Sequence, residues 1–156
     1  DPKERQRIVA DFAVHGIGEE RLILLPGTPH SEHLAAFGRV DIALDPFPTT
    51  GGISTLEAMW MGVPVVALLG NGIPSRVGGA IVSAGGLTDW VANSEDEYVA
   101  IAKRFAADPA TLAELRSSLR PSMAASPLGD SVQYCRAVED AYRTMWRRWC
   151  QTAPIR

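Results

Sequence analysis

Only two cysteines occur among the 156 residues, Cys135 and Cys150. Both fall in one expected helix, too far apart along it to pair, so no disulfide framework holds this fold. No Cys-x-x-Cys pair and no His/Cys spacing of a zinc site occurs either. Positive charge is scarce: 15 Lys and Arg stand against 18 Asp and Glu, a net charge of −3. That balance argues against nucleic acid or an anionic membrane as the main partner. The one basic knot, Arg143 with Arg147 and Arg148, suits the solvated face and last turn of a helix, where cations meet the negative dipole end. No apolar run reaches membrane-spanning length and no signal-like N-terminus is visible, so a reducing, cytoplasmic setting is expected. Repeats and low-complexity stretches are missing. So is an initiator Met, and the abrupt opening DPKERQRIVADF leads us to expect a fragment or processed piece of a longer protein.

What is present reads as one ordinary domain. The length suffices to close a core, and 46% apolar with 21% charged residues is close to the globular average. RQRIVADFAVHGI sets Ile8, Val9, Phe12 and Ala13 at helical spacing, with Gly16 as the stop. RLILLPG is a short apolar run closed by Pro-Gly, the pattern of a buried strand. SEHLAAF predicts a short helix with Ser31 as its cap, and VDIALD predicts the next strand. A helix over about Ser54–Trp60 stops at Gly62, and VPVVALLG is a third buried strand with Pro64 tolerable at its start.

IPSRVGGAIVSAGG reads as a Pro-started helix, and Thr88–Val91 as a fourth, short strand. SEDEYVAIAKRFAAD opens with a capping box, Ser94 and Glu97, and buries Tyr98, Ile101, Ala102 and Phe105. Asp108-Pro109 starts a helix carrying Leu112, Leu115 and Leu119, with Pro121 as its end. Apolar strands alternating with amphipathic helices predict a doubly wound α/β domain, its parallel sheet covered on both faces. The last helix, about Asp130–Cys150, steps Cys135, Val138, Tyr142, Met145 and Trp149 by three and four, with Trp146 alongside. Two readings stand for it: docked on its own domain, or crossing to a neighbouring one.

One stretch asks for more than a connection. DPFPTTGGISTLEAMWMGVP, residues 45–64, packs prolines, threonines and glycines directly after a strand. In an open α/β sheet, ligands sit beyond the carboxyl ends of the strands. Gly51 and Gly52 allow close backbone approach, and the helix then starts near Ser54 and Thr55. Its first N–H groups and positive dipole end suit an anion, most naturally phosphate, with hydroxyls as added donors. One turn on, Glu57 suits the vicinal hydroxyls of a ribose. Together these describe a nucleotide site. A ligand-free alternative stands beside it: Ser54 caps the helix and Glu57 completes a capping box. The stretch is neither G-x-G-x-x-G nor a P-loop.

DIALDPFPTTGGISTLEAMWMGVPVV, with SRV at 75–77, ASPL at 125–128 and QYCRAVEDAYRTMW at 133–146, resembles the C-terminal half of the protein O-GlcNAc transferases. The likeness runs from about Leu25 to Trp146. It implies one half of a GT-B glycosyltransferase, Rossmann-like over 1–128. Residues 129–156 would form a C-terminal helix packing back on this half or on a missing N-terminal catalytic half. Relatives of this kind often stand behind tetratricopeptide repeats and invert configuration at the sugar. The resemblance implies transfer of N-acetylglucosamine from UDP-GlcNAc to protein Ser/Thr hydroxyls, with a nucleotide sugar and a protein acceptor as partners. No cofactor or metal is expected, since no Asp-x-Asp sits at the loop.

By the same resemblance, Thr28 and His33 of PGTPHSEH face the base, Gly51, Gly52, Ile53, Ser54 and Thr55 grip the phosphates, and Glu57 binds the ribose. Without it, His33 reads as a surface helix histidine. Arg76 is open between a phosphate contact and a structural bond to carbonyls. Three positions depart from the animal enzymes: Gly52 replaces a His, Ile53 the first of two Thr, and Ala36 an Arg near the base. Glu57 is one methylene longer than their Asp. The departures leave open the plant-type SPINDLY relatives, which use GDP-fucose, and a catalytically inactive nucleotide-binding module. The family's essential Lys falls upstream of residue 1, and the only lysines here, Lys3 and Lys103, lie in other contexts. The resemblance therefore places no catalytic residue in this stretch, which alone is expected to be inactive.

Overall fold

Asp1 caps the first helix, α1 (Pro2–Ala13), by accepting the Lys3 N–H at 2.9 Å, and Pro2 takes the first helical position, where its missing N–H costs nothing. This computed structural model describes residues 1–152 and divides into two units, Asp1–His33 and Leu34–Arg156. In the first unit the chain leaves α1 through Gly16, whose φ of +75° favours glycine. RLILLPG follows as extended backbone, with Leu22 at φ −106° and ψ 126°, yet it is not a strand among the described residues. A strand exists through its ladder, and the ladders among the described residues pair other segments. Ile23 and Leu25 consequently stay exposed, while Leu24 accepts a bond from Arg5 Nη1 at 3.3 Å.

Helix α2 (His30–Ala36) begins one residue before the expected cap. The His33 N–H reaches the Pro29 carbonyl at 3.0 Å, so Ser31 lies inside the first turn and does not cap it.

The second unit contains the sheet. Strands β1 (Ala43–Leu44), β2 (Val65–Leu68) and β3 (Val91–Ala92) run parallel in the order β1-β2-β3, with Ala43 opposite Val65 and Ala67 opposite Val91. The crossovers carry α3 (Ile53–Trp60) and α4 (Val77–Ala84); α5 (Glu95–Ala106), α6 (Pro109–Ala125) and α7 (Ser131–Thr152) follow. Successive strand side chains point to opposite faces, and Val65, Val66 and Ala67 are all buried. Both faces of β2 are therefore covered, with α3, α4 and α5 packed on it. This is the doubly wound α/β arrangement with a long C-terminal helix that the pattern predicts. Met59, Val63, Val82, Trp90, Leu119 and Met123 complete the core.

Five local expectations change. The fourth strand starts later, at Val91, because Thr88–Trp90 forms a 3-10 turn that holds Trp90 stacked on Phe105 at 4.0 Å. Pro74 lies in a separate 3-10 turn, Ile73–Ser75, which Arg76 divides from α4. Helix α6 continues through Pro121 to Ala125, since Leu119 and Met123 on either side of it are buried and hold the helix in place. In α5 Tyr98 and Ile101 are buried as expected, whereas Ala102 and Phe105 are only half-buried. The capping box there is modified: Ser94 Oγ accepts the Glu97 N–H, but Glu97 Oε2 accepts from Asn93 N instead of Ser94 N. Helix α7 buries none of its residues, and Tyr142, Met145, Trp146 and Trp149 are all more than half exposed. No helix of the described residues is long and apolar enough to cross a membrane.

Candidate nucleotide site

The ladder fixes the post on which the site is built. Asp45 follows β1 directly, its N–H donates to the Val66 carbonyl at 2.9 Å, and its own carbonyl accepts the Tyr98 hydroxyl at 2.9 Å. Its side chain is 3% exposed. Oδ1 accepts two bonds, from the Gly51 N–H at 3.0 Å and from Thr55 Oγ1 at 3.1 Å, whereas buried Oδ2 has no hydrogen-bond partner among the described residues. Burial raises the Asp45 pKa above its ordinary 3.8, against the lowering effect of those two donors. Tyr98 is pushed up to about 12, by burial first and by the Asp45 charge second.

A second set of bonds ties the loop to the segment after β2. The Thr50 N–H and hydroxyl both donate to the Pro74 carbonyl, at 3.0 and 2.9 Å, and Thr50 Oγ1 accepts the Gly78 N–H at 3.0 Å. Both segments leave the carboxyl edge of the parallel sheet, the edge where ligands of such sheets bind. The glycines here serve space. A Cβ on Gly51 would meet Thr55 Oγ1 at 2.5 Å and Asp45 Oδ1 at 2.8 Å; one on Gly78 would meet Asp45 Oδ2 at 1.9 Å.

Gly52, at φ −132° and ψ −87°, caps α3 with backbone alone, and no side-chain cap is formed. Ser54 thus stands at the second helical position, which removes the capping-box alternative in which it precedes the helix. The N–H groups of this first turn have no acceptor within the helix and share its positive end. Ile53 and Ser54 are exposed, Glu57 is half-buried one turn further, and Thr55 is buried with its hydroxyl committed to Asp45. The structure therefore brings Gly51, Gly52, Ile53, Ser54, Thr55 and Glu57 together at the cap and first two turns of α3. Thr28 and His33, both exposed, belong to the first unit. Arg76 donates through Nη1 to the Gly70 carbonyl at 3.0 Å, the structural bond of its two readings. Among the described residues no group of three or more His, Cys, Asp or Glu could hold a metal ion.

Four residues escaped the sequence reading as parts of the site: Asp45, Thr50, Gly78 and Tyr98. An acid that ends a strand six residues before a glycine pair is a detectable cue, because Asp side chains bond nearby backbone N–H groups. Tyr98, 53 residues away, leaves no such trace.

The family described as Glycosyl transferase family 41 matches residues 2–138. Similar to 94% of the chain, at 42% identity over 147 residues, is a rice (Oryza sativa subsp. japonica) protein named probable UDP-N-acetylglucosamine–peptide N-acetylglucosaminyltransferase SPINDLY. The UDP-N-acetylglucosamine–peptide N-acetylglucosaminyltransferase of Caenorhabditis elegans is 30% identical over 155 residues, 99% of the chain. The chain spans 16% and 14% of the length of these two relatives. A solved structure of a mutant Thermobaculum terrenum O-GlcNAc transferase superposes with a TM-score of 0.90 at 38% identity, over 99% of this chain and 30% of that one.

Proposed function

The chain belongs to glycosyl transferase family 41, and from that premise we propose that it forms the donor-binding part of an inverting glycosyltransferase. The enzyme transfers N-acetylglucosamine from UDP-GlcNAc to Ser or Thr hydroxyls of proteins. One observation carries the reading: at the carboxyl edge of the sheet, the glycine turn and the start of α3 place helix N–H groups, the exposed Ser54 and, one turn on, the acid Glu57 close together. The names of the relatives support it.

In the reaction, an acceptor hydroxyl oxygen attacks the anomeric carbon on the face opposite the diphosphate. The new C–O bond forms as the bond to the β-phosphate oxygen breaks, and its electron pair leaves on UDP. The hydroxyl proton passes to a general base. The charge that develops on the diphosphate is met by the positive end of α3 and the N–H groups of Gly52 to Ser54. Thr28 and His33 would hold the base, Gly51 and Thr55 shape the turn, and Glu57 accepts from the ribose hydroxyls. A Lys supplied by an N-terminal half would complete the neutralisation. The exposed aromatic face of α7 fits that half as its partner, since an apolar face of this extent needs cover. The protein works in the cytoplasm, without a metal, a membrane or nucleic acid.

Calorimetric titration of the longer protein with UDP and GDP tests this. UDP is expected to bind more tightly than GDP. Removing one charge-assisted bond by Glu57→Ala is expected to weaken UDP by roughly tenfold or more. A preference for GDP would transfer the donor to a guanosine-linked sugar such as GDP-fucose. Binding of neither nucleotide would sink the donor-binding reading altogether.

A further inference from the structure

Asp45 stands one layer behind the groups that would meet a diphosphate. Its main chain is pinned on both sides, by Val66 through the N–H and by Tyr98 through the carbonyl, so the carboxyl group stands on a rigid post. From that post a single oxygen, Oδ1, gathers the Gly51 N–H and the Thr55 hydroxyl, which lie on either side of the α3 cap at Gly52. Both groups are thereby turned inward. What the turn can still offer outward is the backbone N–H of Gly52, Ile53 and Ser54, and the Ser54 hydroxyl.

The carboxyl group has nowhere else to go. Gly51 closes one side and Gly78 the other, and a methyl group on either would run into an Asp45 carboxylate oxygen. Oδ2 is buried without a partner among the described residues, an unfavourable arrangement that an apolar side chain filling the same space would avoid. Packing alone gives no reason for a carboxyl group at this position. Organising the two donors does.

We propose that Asp45 is the positioning residue of the diphosphate cradle: through the Gly51 N–H and the Thr55 hydroxyl it sets the shape in which the start of α3 presents its N–H groups. The proposal rests on the reading above that the N–H groups of Gly52 to Ser54 grip the phosphates. It makes Asp45 and Thr55 a supporting layer that touches no ligand and acts selectively on the phosphate part of the donor.

That selectivity is measurable. The probes are UDP and uridine, titrated calorimetrically into the longer protein that carries this chain, with GDP and guanosine alongside. A melting curve accompanies each variant, so that binding is read on folded protein. Asp45→Ala is expected to weaken UDP by about tenfold or more while uridine stays within about twofold, because only the phosphate grip depends on the turn. Asp45→Asn keeps an acceptor at the Oδ1 position and is expected to lie between wild type and Asp45→Ala. If Asp45→Ala fails to fold, Thr55→Val, which deletes only the hydroxyl, decides by the same ratio. A UDP-to-uridine ratio equal to that of the wild type, or equal losses for both ligands, would overturn the positioning role while leaving the donor site standing. Wild type that binds no nucleoside diphosphate would remove both.

Discussion

Gly78 is a helical residue whose replacement by alanine should, by propensity alone, stabilise the protein by about 1 kcal/mol. The structure reverses the sign. The added Cβ would lie 1.9 Å from Asp45 Oδ2, 2.9 Å from Asp45 Cγ and 3.2 Å from Thr50 Cβ. The carboxyl group can yield only by leaving the Gly51 N–H and the Thr55 hydroxyl. Each of these bonds to a charged acceptor contributes roughly 1.5–3 kcal/mol, so losing both costs about 3–6 and the net effect is about 2–5 kcal/mol of destabilisation. For a chain of this size that corresponds to a fall in Tm of roughly 5–15 °C. Gly79→Ala, one position on, is the internal control. Its Cβ meets Leu69 Cδ2 at 2.5 Å, the far end of a flexible, half-buried side chain that can turn away, so its cost stays within about 1 kcal/mol. Urea unfolding followed by tryptophan emission reads both, since Trp90 is buried in the core. If Gly78→Ala proves no worse than Gly79→Ala, the carboxyl group is not held where the structure places it.

Two further outcomes follow from the same contacts. The folded pKa of Asp45 lies above 3.8, so the pH-dependent part of its contribution to stability is fully present below that value and is lost as pH rises through the raised one, leaving the two bonds to Oδ1 in place. The stability of Asp45→Asn relative to wild type should therefore be more favourable at neutral pH than in acid; paired thermal melts across that range check the slope, and a flat or opposite trend would contradict the burial argument. On α7, replacing both Trp146 and Trp149 by Ser is expected to change the unfolding free energy of this chain by less than about 0.5 kcal/mol, because both are more than half exposed. If α7 packs on an N-terminal half as proposed, the same pair should cost several times more in a protein that carries both.

The fold was largely legible because its signals are local. Apolar runs such as VPVVALLG, broken by Gly and Pro, indicate a covered parallel strand wherever they occur, and β2 forms where its run predicts. Elements failed where a partner decides the outcome. RLILLPG has the composition of a buried strand, but no ladder forms on it among the described residues. Pro121 carries a stop signal, but burial of Leu119 and Met123 outweighs one lost backbone bond. Val91 became a strand later than expected because Trp90 spends its turn stacking on Phe105. In each case a contact between residues distant in sequence, or its absence, overruled the local preference.

The hydroxyls of residues 45–64 show why the site was only half legible. Composition says that a loop rich in Thr, Ser and Gly has donors and backbone freedom; it does not say which way the donors turn. Here Thr50 and Thr55 turn inward, one binding Pro74 and Gly78 across the loop, the other binding Asp45, while Thr49 and Ser54 stay exposed. Orientation comes from Asp45, whose carboxyl group competes for the Gly51 and Thr55 donors at close range, and from Tyr98, which reaches the same residue from α5. A loop assembled this way is stiff, and stiffness is what a phosphate grip needs, because donors held in place before the ligand arrives lose little freedom when it binds. The glycines follow from the same requirement. Gly51 and Gly78 leave room for a buried acid, and the acid in turn holds the glycine turn, so neither feature explains the other until both are seen in contact.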